Sequence, residues 1–349
     1  MPGRCLFFVI KYQRWHSLLS AREGLGQNEC RSMYVMNIVL LEGLGVRQTL
    51  VDEYAAKLEA MGHTFTQYAK DPDASVQLER SRNADVIMIA NMPLAARVVE
   101  EVPTLKFIDV AFTGVDHIPV AEAKKRNIAI SNASGYADQG VAELCIGFMI
   151  SLLRQIPEQQ AHCRAHGTKE GLEGHLLQGK TVGIVGAGHI GRKTAALCKA
   201  FGCKVIAYNR STVTDPVIDE QLSLEEVLKQ SDIISLHLPL TDATKGLIGA
   251  EQLRLMKSTA FLINTARGGV VDQQALAQAL KDGVIAGAAL DVFDVEPPLP
   301  EGHPLLDAPN CIVTPHMAFA SAESMEQRAH TVFGNLFAWL EGKQQNVIC

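Results

Sequence analysis

Short apolar runs alternate with segments of helical periodicity along most of this chain. The runs predicted as strands are residues 37–41, 64–68, 85–90, 105–110, 128–131, 182–185, 204–208, 233–236, 261–264 and 287–291. The segments predicted as helices are residues 46–61, 75–82, 94–101, 120–126, 190–197, 223–229, 250–255, 273–282 and 322–341. Strands that alternate with helices in this way predict parallel sheets with helices on both faces.

A longer apolar segment separates two blocks of this pattern. It is predicted to be one helix from Val141 to roughly His166 that links the domains. The second block begins at Thr181, and the helix that follows it, 322–341, is expected to pack back on the first domain. A chain of 349 residues has the length of two ordinary domains. We therefore predict an α/β protein with two Rossmann-like, doubly wound parallel sheets.

The second block opens with a glycine pattern that carries chemistry. Gly186, Gly188 and Gly191 have the G-x-G-x-x-G spacing, after the apolar run 182–185 and before a helical pattern. The first glycine allows a tight turn, the second lets the backbone approach a pyrophosphate, and the third lets helix and strand pack closely. A glycine-rich turn in some other α/β protein is the alternative. The strand before it and the helix after it favour dinucleotide binding.

The end of the next strand bears on the choice of cofactor. It reads Tyr208, Asn209, Arg210, Ser211, with no carboxylate to bind the ribose hydroxyls of NAD. Arg210 and Ser211 have the chemistry to hold a 2′-phosphate. The pattern therefore favours NADP(H) within an NAD(P) assignment, with an Arg210 that points into solvent as the alternative.

Composition excludes several other classes of function. A net charge of −6 gives no basic field for nucleic acid, and no apolar run reaches the length of a membrane span. The 8 cysteines contain no C-x-x-C pair and are interpreted as reduced thiols of a cytoplasmic protein. His162, Cys163 and His166 have a spacing that could bind metal, but we predict an exposed helix end and no metal site.

Residues 1–35 differ from the rest of the chain. They begin with several basic residues, lack clean periodicity and contain the short apolar run 6–10. We interpret them as a disordered or non-native extension and hypothesise that translation starts at Met36. An organelle transit peptide is the alternative.

Three residues in the second block suggest a catalytic centre: Arg267 in NTARGGVVD, Glu296 in LDVFDVEPP and His316 in IVTPHMA. Ligands of open parallel sheets bind beyond the carboxyl ends of the strands. An arginine can bind the carboxylate and carbonyl oxygens of a 2-keto acid, and a histidine can protonate a carbonyl oxygen that receives a hydride. A nearby glutamate favours the charged imidazole. The structural alternatives are a surface ion pair for Arg267, an acid at the start of a helix for Glu296 and a turn cap for His316.

With these residues in view, the chain resembles the D-isomer-specific 2-hydroxyacid dehydrogenase family from about Met36 onward. The shared motifs are VGIVGAGHIG, HLPLTDATKGLI, FLINTARGGVVD, GAALDVFDVEPP and TPHMA, in the order that the family has. The resemblance implies a cofactor domain, 136–317, inserted in a discontinuous substrate domain, 36–135 and 318–349. It also implies a cleft between the domains and a homodimer built mainly through the cofactor domain.

The resemblance also assigns roles to individual positions. Arg267 would bind the substrate carboxylate and polarise its carbonyl, His316 would transfer the proton, and Glu296 would hold the imidazole. Substrate contacts would come from Asn91, Met92, Gly114 and Val115. The cofactor-binding residues predicted from the motif and the resemblance are Gly186, Gly188, His189, Ile190, Gly191, Asn209, Arg210, His237, Pro239, Thr265, Ala266 and Asp291.

The chain also departs from the family pattern. Phe112 stands where many members have glycine, which implies a narrower or more apolar pocket mouth. The segment SGYADQGVAE resembles the family's hinge but lacks its common Ser/Thr pair.

The sequence therefore predicts an NAD(P)-dependent oxidoreductase that acts on a small 2-keto or D-2-hydroxy acid. Glyoxylate, hydroxypyruvate and glycerate are the first candidate substrates. A phosphorylated substrate is disfavoured because no basic cluster lines residues 91–93 or 112–116. The alternatives are a dinucleotide-sensing, corepressor-like binding protein and a relative of formate or phosphite dehydrogenases.

Overall fold

Two parallel β-sheets organise the protein in the computed structural model, which describes residues 35–295 and 297–349. The predictions about the N-terminal extension and about the side chain of Glu296 lie outside the described residues.

The first sheet contains five strands whose carboxyl ends share one edge. The strands are β1 (Asn37–Leu40), β2 (Thr64–Gln67), β3 (Val86–Ile89), β4 (Phe107–Val110) and β5 (Ala129–Asn132). Their order is β2-β1-β3-β4-β5, and every pairing is parallel. The helices between them are α1 (Gln48–Ala60), α2 (Ala74–Ser81), α3 (Ala96–Glu101) and α4 (Val120–Lys125). Strands β3 and β4 are buried at every position, as expected for apolar strands covered on both faces.

The predicted linking helix is two helices, so its prediction as one helix is wrong. These are α5 (Asp138–Leu153) and α6 (Ile156–Arg164), bent by 57° at the break. Gln155 adopts a left-handed conformation with φ of 50°, and Pro157 has no N–H to continue the α5 ladder. The carbonyl of Leu153 instead accepts a hydrogen bond from the N–H of His175 at 2.8 Å.

The second sheet contains seven strands in the order β12-β11-β10-β9-β6-β7-β8, all paired in parallel. The strands are β6 (Thr181–Val185), β7 (Lys204–Tyr208), β8 (Glu220–Gln221), β9 (Ile233–Leu236), β10 (Phe261–Asn264), β11 (Gly287–Leu290) and β12 (Cys311–Val313). The helices are α7 (His189–Ala200), α8 (Leu224–Gln230), α9 (Ala250–Leu255) and α10 (Gln273–Lys281), with a 3₁₀ turn at Gly268–Val270. The sequence pattern missed the edge strands β8 and β12, which are short and only partly buried.

The last helix, α11 (Ala322–Leu340), returns to the first sheet and packs on β4 and β5. Within this contact, Asn335 Nδ2 donates to Asp109 Oδ1 at 3.1 Å and to the carbonyl of Asn132 at 2.9 Å. The N–H of Ile348 donates to the carbonyl of Ile130 at 2.8 Å. The chain thus leaves the first sheet, builds the second and comes back, which is the predicted inserted arrangement.

Candidate functional site

The glycine turn has the close packing that its spacing predicts. Gly186 has φ of 99°, and a Cβ there would lie 2.6 Å from the carbonyl oxygen of His237. A Cβ on Gly191 would lie 2.1 Å from the carbonyl oxygen of Gly186, whereas Gly188 has no atom within 4 Å of its Cβ position. Helix α7 follows directly, and the backbone N–H of Arg192 donates to the carbonyl of Gly188 at 3.0 Å. The turn therefore offers an open approach to the first N–H groups of a helix, where a pyrophosphate fits.

A cavity of about 470 Å³ lies beside this turn. Its lining residues are Ala187, Gly188, Arg192, Asn209, Ser211, Thr212, Val213, Thr214, Asp215 and Pro216. Asn209 Oδ1 accepts a hydrogen bond from Ala187 N–H at 3.1 Å, and its Nδ2 donates to Ser211 Oγ at 3.1 Å. Asp215 pairs with Arg192 at 3.7 Å. The cavity follows the β6–α7 turn and the end of β7, where the adenosine end of a dinucleotide binds in this type of fold.

The other predicted cofactor residues follow the neighbouring strands β9 and β10. His237 Nε2 lies 2.9 Å from Ser235 Oγ, and burial lowers the pKa of His237 to about 4. The hydroxyl of Thr265 lies 3.2 Å from Cys145 Sγ of helix α5. Ala266 N–H donates to Asn264 Oδ1 at 3.1 Å. His189 and Ile190 begin helix α7, while Arg210 and Pro239 are exposed at strand ends.

Asp291, the predicted nicotinamide contact, follows strand β11 and binds the loop that carries His316. Its carboxylate is fully buried and accepts hydrogen bonds from Thr314 Oγ1 at 2.5 Å, Met317 N–H at 2.8 Å and Ala318 N–H at 2.8 Å. These donors lie on both sides of His316. Asp291 therefore anchors the loop that carries the imidazole, and its side chain does not reach an open cleft in this structure.

Arg267 joins the two domains. It follows strand β10 of the cofactor domain, and its Nε donates to Asp116 Oδ2 of the first domain at 3.0 Å. Its Nη1 donates to the carbonyl of Ala266 at 2.8 Å. A Cβ placed on Gly114 would lie only 1.8 Å from Nη2, so the guanidinium packs directly on the Gly114 backbone. In the described part of the chain, the N–H groups of Gly114 and Val115 donate to no protein acceptor.

His316 faces a cluster of aromatic side chains. Its backbone has φ of 54°, and its N–H donates to the carbonyl of Thr314 at 3.0 Å. Its ring meets Phe112 edge to face, with centroids 6.1 Å apart, and Phe319 in the same manner at 5.7 Å. Phe112 lies two residues before Gly114, so the imidazole and the Arg267 guanidinium border the same loop of the first domain.

The two predicted substrate-contact residues in the loop after β3 differ in their exposure. Met92 is fully buried, so its side chain does not contact a substrate in the cleft of this structure. Its N–H donates to the buried carboxylate of Glu42 at 2.7 Å. Asn91 is exposed, and its Oδ1 lies 3.5 Å from Lys70 Nζ. Within this predicted pair, Asn91 is therefore the side chain that remains accessible.

Sequence reasoning missed two neighbours of the site. Asp116 lies in the loop 112–116, but the sequence analysis did not predict that it pairs with Arg267. An acid that follows a carboxylate-binding glycine is a candidate partner for an arginine. His117 binds the Ala90 carbonyl through Nε2 at 2.7 Å, and burial lowers the pKa of its imidazole. The pairing itself has no local signal in either case, because Asp116 and Arg267 are 151 residues apart and His117 and Ala90 are 27 residues apart.

Two negative observations concern residues 35–295 and 297–349 only. They contain no group of three or more His, Cys, Asp or Glu side chains placed to hold a metal ion. No single helix there is long and apolar enough to cross a membrane, although α5 and α6 together meet the length and composition required.

Comparison with known proteins finds similar sequences and a similar fold. The sequence model described as "D-isomer specific 2-hydroxyacid dehydrogenase, NAD binding domain" matches residues 146–318. Glycerate dehydrogenase of Methylorubrum extorquens is 42% identical over 295 residues, which cover 82% of this chain and 92% of that protein. Glyoxylate reductase of Thermofilum pendens is 40% identical over 282 residues, with coverages of 78% and 83%. The structure of an acyclic imino acid reductase (Bsp5) in complex with NADPH and D-Arg has a TM-score of 0.83 at 28% identity, covering 90% of this chain and 100% of that chain.

Proposed function

Because this chain belongs to the D-isomer-specific 2-hydroxyacid dehydrogenase family, we propose that it moves a hydride between a nicotinamide dinucleotide and C2 of a small 2-keto or D-2-hydroxy acid. The observation that carries the proposal is the position of Arg267. This side chain leaves the cofactor domain and contacts Gly114 and Asp116 of the other domain. The similarity to a glycerate dehydrogenase and a glyoxylate reductase supports glyoxylate, hydroxypyruvate and glycerate as the first substrates to test.

The substrate carboxylate would bind where Arg267 meets the loop after β4. The guanidinium is a fixed cation with a planar set of donors that matches a carboxylate. The N–H groups of Gly114 and Val115 supply two further donors at the same loop. Together they would hold the acid in one orientation and polarise its carbonyl, which makes C2 a better hydride acceptor.

The proton would come from His316. When hydride adds to C2 of the keto acid, the carbonyl oxygen gains the electron pair of the broken π bond and takes a proton from the imidazolium. In the oxidation direction the neutral imidazole removes the hydroxyl proton as hydride leaves C2. Glu296 remains the predicted partner that holds the ring. The aromatic contacts of His316 with Phe112 and Phe319 restrict the ring and keep water from that side.

The residues present fit a dinucleotide. The open Gly188 position and the start of helix α7 would hold the pyrophosphate, and the cavity beside them would hold the adenosine end. When bound, the nicotinamide supplies or accepts the hydride. Thr265 and Ala266, at the end of β10, are proposed to border its ring.

Within this site we propose a preference for NADP(H). No carboxylate side chain follows β7 to bind the ribose hydroxyls, because Asn209 stands there with its amide already bonded to Ala187 and Ser211. The one acid that lines the cavity, Asp215, is paired with Arg192. Asn209→Asp should therefore shift the ratio of kcat/KM values from NADPH toward NADH, and a wild-type preference for NADH would contradict the proposal.

The test of the main activity is a panel of 2-keto acids assayed with NADH and with NADPH. We expect turnover of at least one small keto acid, followed through the absorbance of the reduced nicotinamide. His316→Ala should abolish turnover and leave the dissociation constant for the reduced cofactor nearly unchanged. Retained turnover in that variant would show that another group transfers the proton.

Arg267→Lys separates substrate binding from cofactor binding. Lysine keeps the charge but loses the planar fork, so KM for the keto acid should rise while KM for the cofactor stays the same. Cofactor binding without turnover of any acid in the wild-type protein would instead favour the nucleotide-sensing binding protein.

We also propose a homodimer, as the family resemblance implies. An open groove of about 530 Å³ lies between the end of α5 and the end of α7. The apolar side chains of Leu176 and Phe201 line it and are exposed. Sedimentation of the wild-type protein should show twice the chain mass, and Leu176→Asp should weaken the association.

A further inference from the structure

Phe112 lies beside both groups that would meet the reacting carbon of the substrate. It follows strand β4, two residues before the Gly114 backbone on which Arg267 packs. Its ring and the imidazole of His316 have centroids 6.1 Å apart at an interplanar angle of 76°. Rings at this separation and angle are in edge-to-face contact. Phe112 therefore packs directly against the proposed proton donor and lies close to the proposed carboxylate-binding loop.

The ring of Phe112 is held in place by other aromatic rings. Phe319 packs on Phe112 with centroids 5.0 Å apart, and Tyr136 lies at 6.4 Å. Behind them, the guanidinium of Arg328 lies 5.8 Å from the Tyr136 ring and 6.0 Å from the Phe319 ring. Arg328 is held in turn by a 2.6 Å hydrogen bond to the carbonyl of Leu44. Phe112 is only 9% exposed, so its ring has little space into which it can turn.

We propose that Phe112 is a specificity-determining residue that limits the substrate to 2-keto acids with a small substituent, such as glyoxylate and hydroxypyruvate. This inference rests on the proposed function. A keto acid held by its carboxylate at Gly114 and by its carbonyl oxygen at His316 spans the stretch of cleft that Phe112 borders. A branched or aromatic substituent would have to displace a ring that has aromatic neighbours on several sides.

The experiment compares wild type, Phe112→Leu and Phe112→Ala with glyoxylate, hydroxypyruvate, 2-ketoisocaproate and phenylpyruvate. The quantity measured is the ratio of kcat/KM for each large acid to kcat/KM for glyoxylate. One methylene in a pocket changes selectivity by roughly tenfold or more. The ratio should therefore rise at least about tenfold in Phe112→Ala, with Phe112→Leu between it and the wild type. The leucine variant retains an apolar side chain and carries the test if the alanine variant does not fold.

The matched control is Phe333→Leu. Phe333 is a fully buried phenylalanine of the first domain that stacks on Tyr54 with centroids 4.2 Å apart, in a part of the core separate from Phe112. This variant should lower the melting temperature without changing the substrate ratio. An unchanged ratio in both Phe112 variants, or a wild type that already reduces phenylpyruvate as well as glyoxylate, overturns the inference and leaves the proposed function intact. A wild type that reduces none of the acids overturns the proposed function and the inference with it.

Discussion

The contact between Gly114 and Arg267 provides the sharpest test of the proposed site, through the substitution Gly114→Ala. An added Cβ would lie 1.8 Å from Nη2 and 3.1 Å from Cζ of Arg267, whereas ordinary van der Waals contact begins near 3.4 Å. The guanidinium would therefore have to retreat by about 1.6 Å, the difference between the first and last of these distances. Gly114 does not have a positive φ, so alanine strains this position through side chains alone, chiefly Arg267 and to a lesser extent Asp116, whose Oδ2 would lie 3.2 Å from the Cβ.

The consequence follows from the role of orientation in catalysis. The displaced arginine loses its 3.0 Å hydrogen bond to Asp116 and no longer faces the carboxylate-binding N–H groups. A misplacement of about 1 Å in a reacting arrangement can reduce the rate roughly 100-fold. That factor corresponds to about 2.7 kcal/mol of transition-state stabilisation. We expect kcat/KM for the keto acid to fall by roughly 100-fold or more, with the cofactor dissociation constant unchanged.

The assay combines steady-state kinetics with a fluorescence titration of the reduced cofactor. Gly334→Ala is the matched control, because Gly334 is exposed in helix α11 and has no atom within 4 Å of its Cβ position. Alanine at an exposed helical position stabilises by about 1 kcal/mol relative to glycine and should leave turnover unchanged. If Gly114→Ala keeps kcat/KM within about threefold of wild type, Arg267 does not bind the substrate at this loop.

Three further predictions concern the groups around the site. Asp291→Ala should lower the free energy of unfolding by about 3 kcal/mol, because the buried N–H of Ala318 and the partly buried donors of Thr314 and Met317 lose their acceptor. Urea denaturation measures this change, and an unchanged midpoint contradicts the prediction. Burial raises the pKa of Asp109 well above its usual value, so folding retains a proton that the unfolded chain releases, and stability falls as pH rises. Asp109→Asn should therefore raise the free energy of unfolding at neutral pH, because the asparagine oxygen can still accept the hydrogen bond from Asn335. A free energy of unfolding equal to or lower than that of wild type would refute this prediction. Burial lowers the pKa of His237 to about 4 from its ordinary value of 6.5, so the protein loses stability as the pH falls from 6.5 to 4, by at most roughly 3 kcal/mol. His237→Gln should reduce this loss of stability in acid. A variant with the same pH profile as wild type would exclude His237 as its cause.

The elements of the fold could be predicted because each is encoded over a short distance. A buried parallel strand needs a continuous apolar run, and β3 and β6 show one. The G-x-G-x-x-G turn could be predicted for the same reason. The positive φ of Gly186 and the close approach at Gly191 are requirements set within a few adjacent residues.

The linking helix shows where local pattern stops being informative. The residues after Leu153 include good helix formers such as Glu158 and Gln159, and a proline in the first turn of a helix is also compatible with helix. What ends α5 is the carbonyl of Leu153, which bonds to the N–H of His175, together with a left-handed Gln155. A partner so far along the chain has no signature in the segment itself.

The chain by itself determined that Arg267 follows a strand of a dinucleotide-binding sheet and that His316 lies in a motif of the same block, because apolar runs and residue types are both readable in one dimension. Only the tertiary structure decided that Asp116 pairs with Arg267, that Phe112 packs on His316 and that Asp291 anchors the imidazole loop. These contacts join residues whose separation in space depends on the order of strands and on how the inserted domain meets the first. That arrangement is fixed by packing over the whole molecule, and no short segment specifies it.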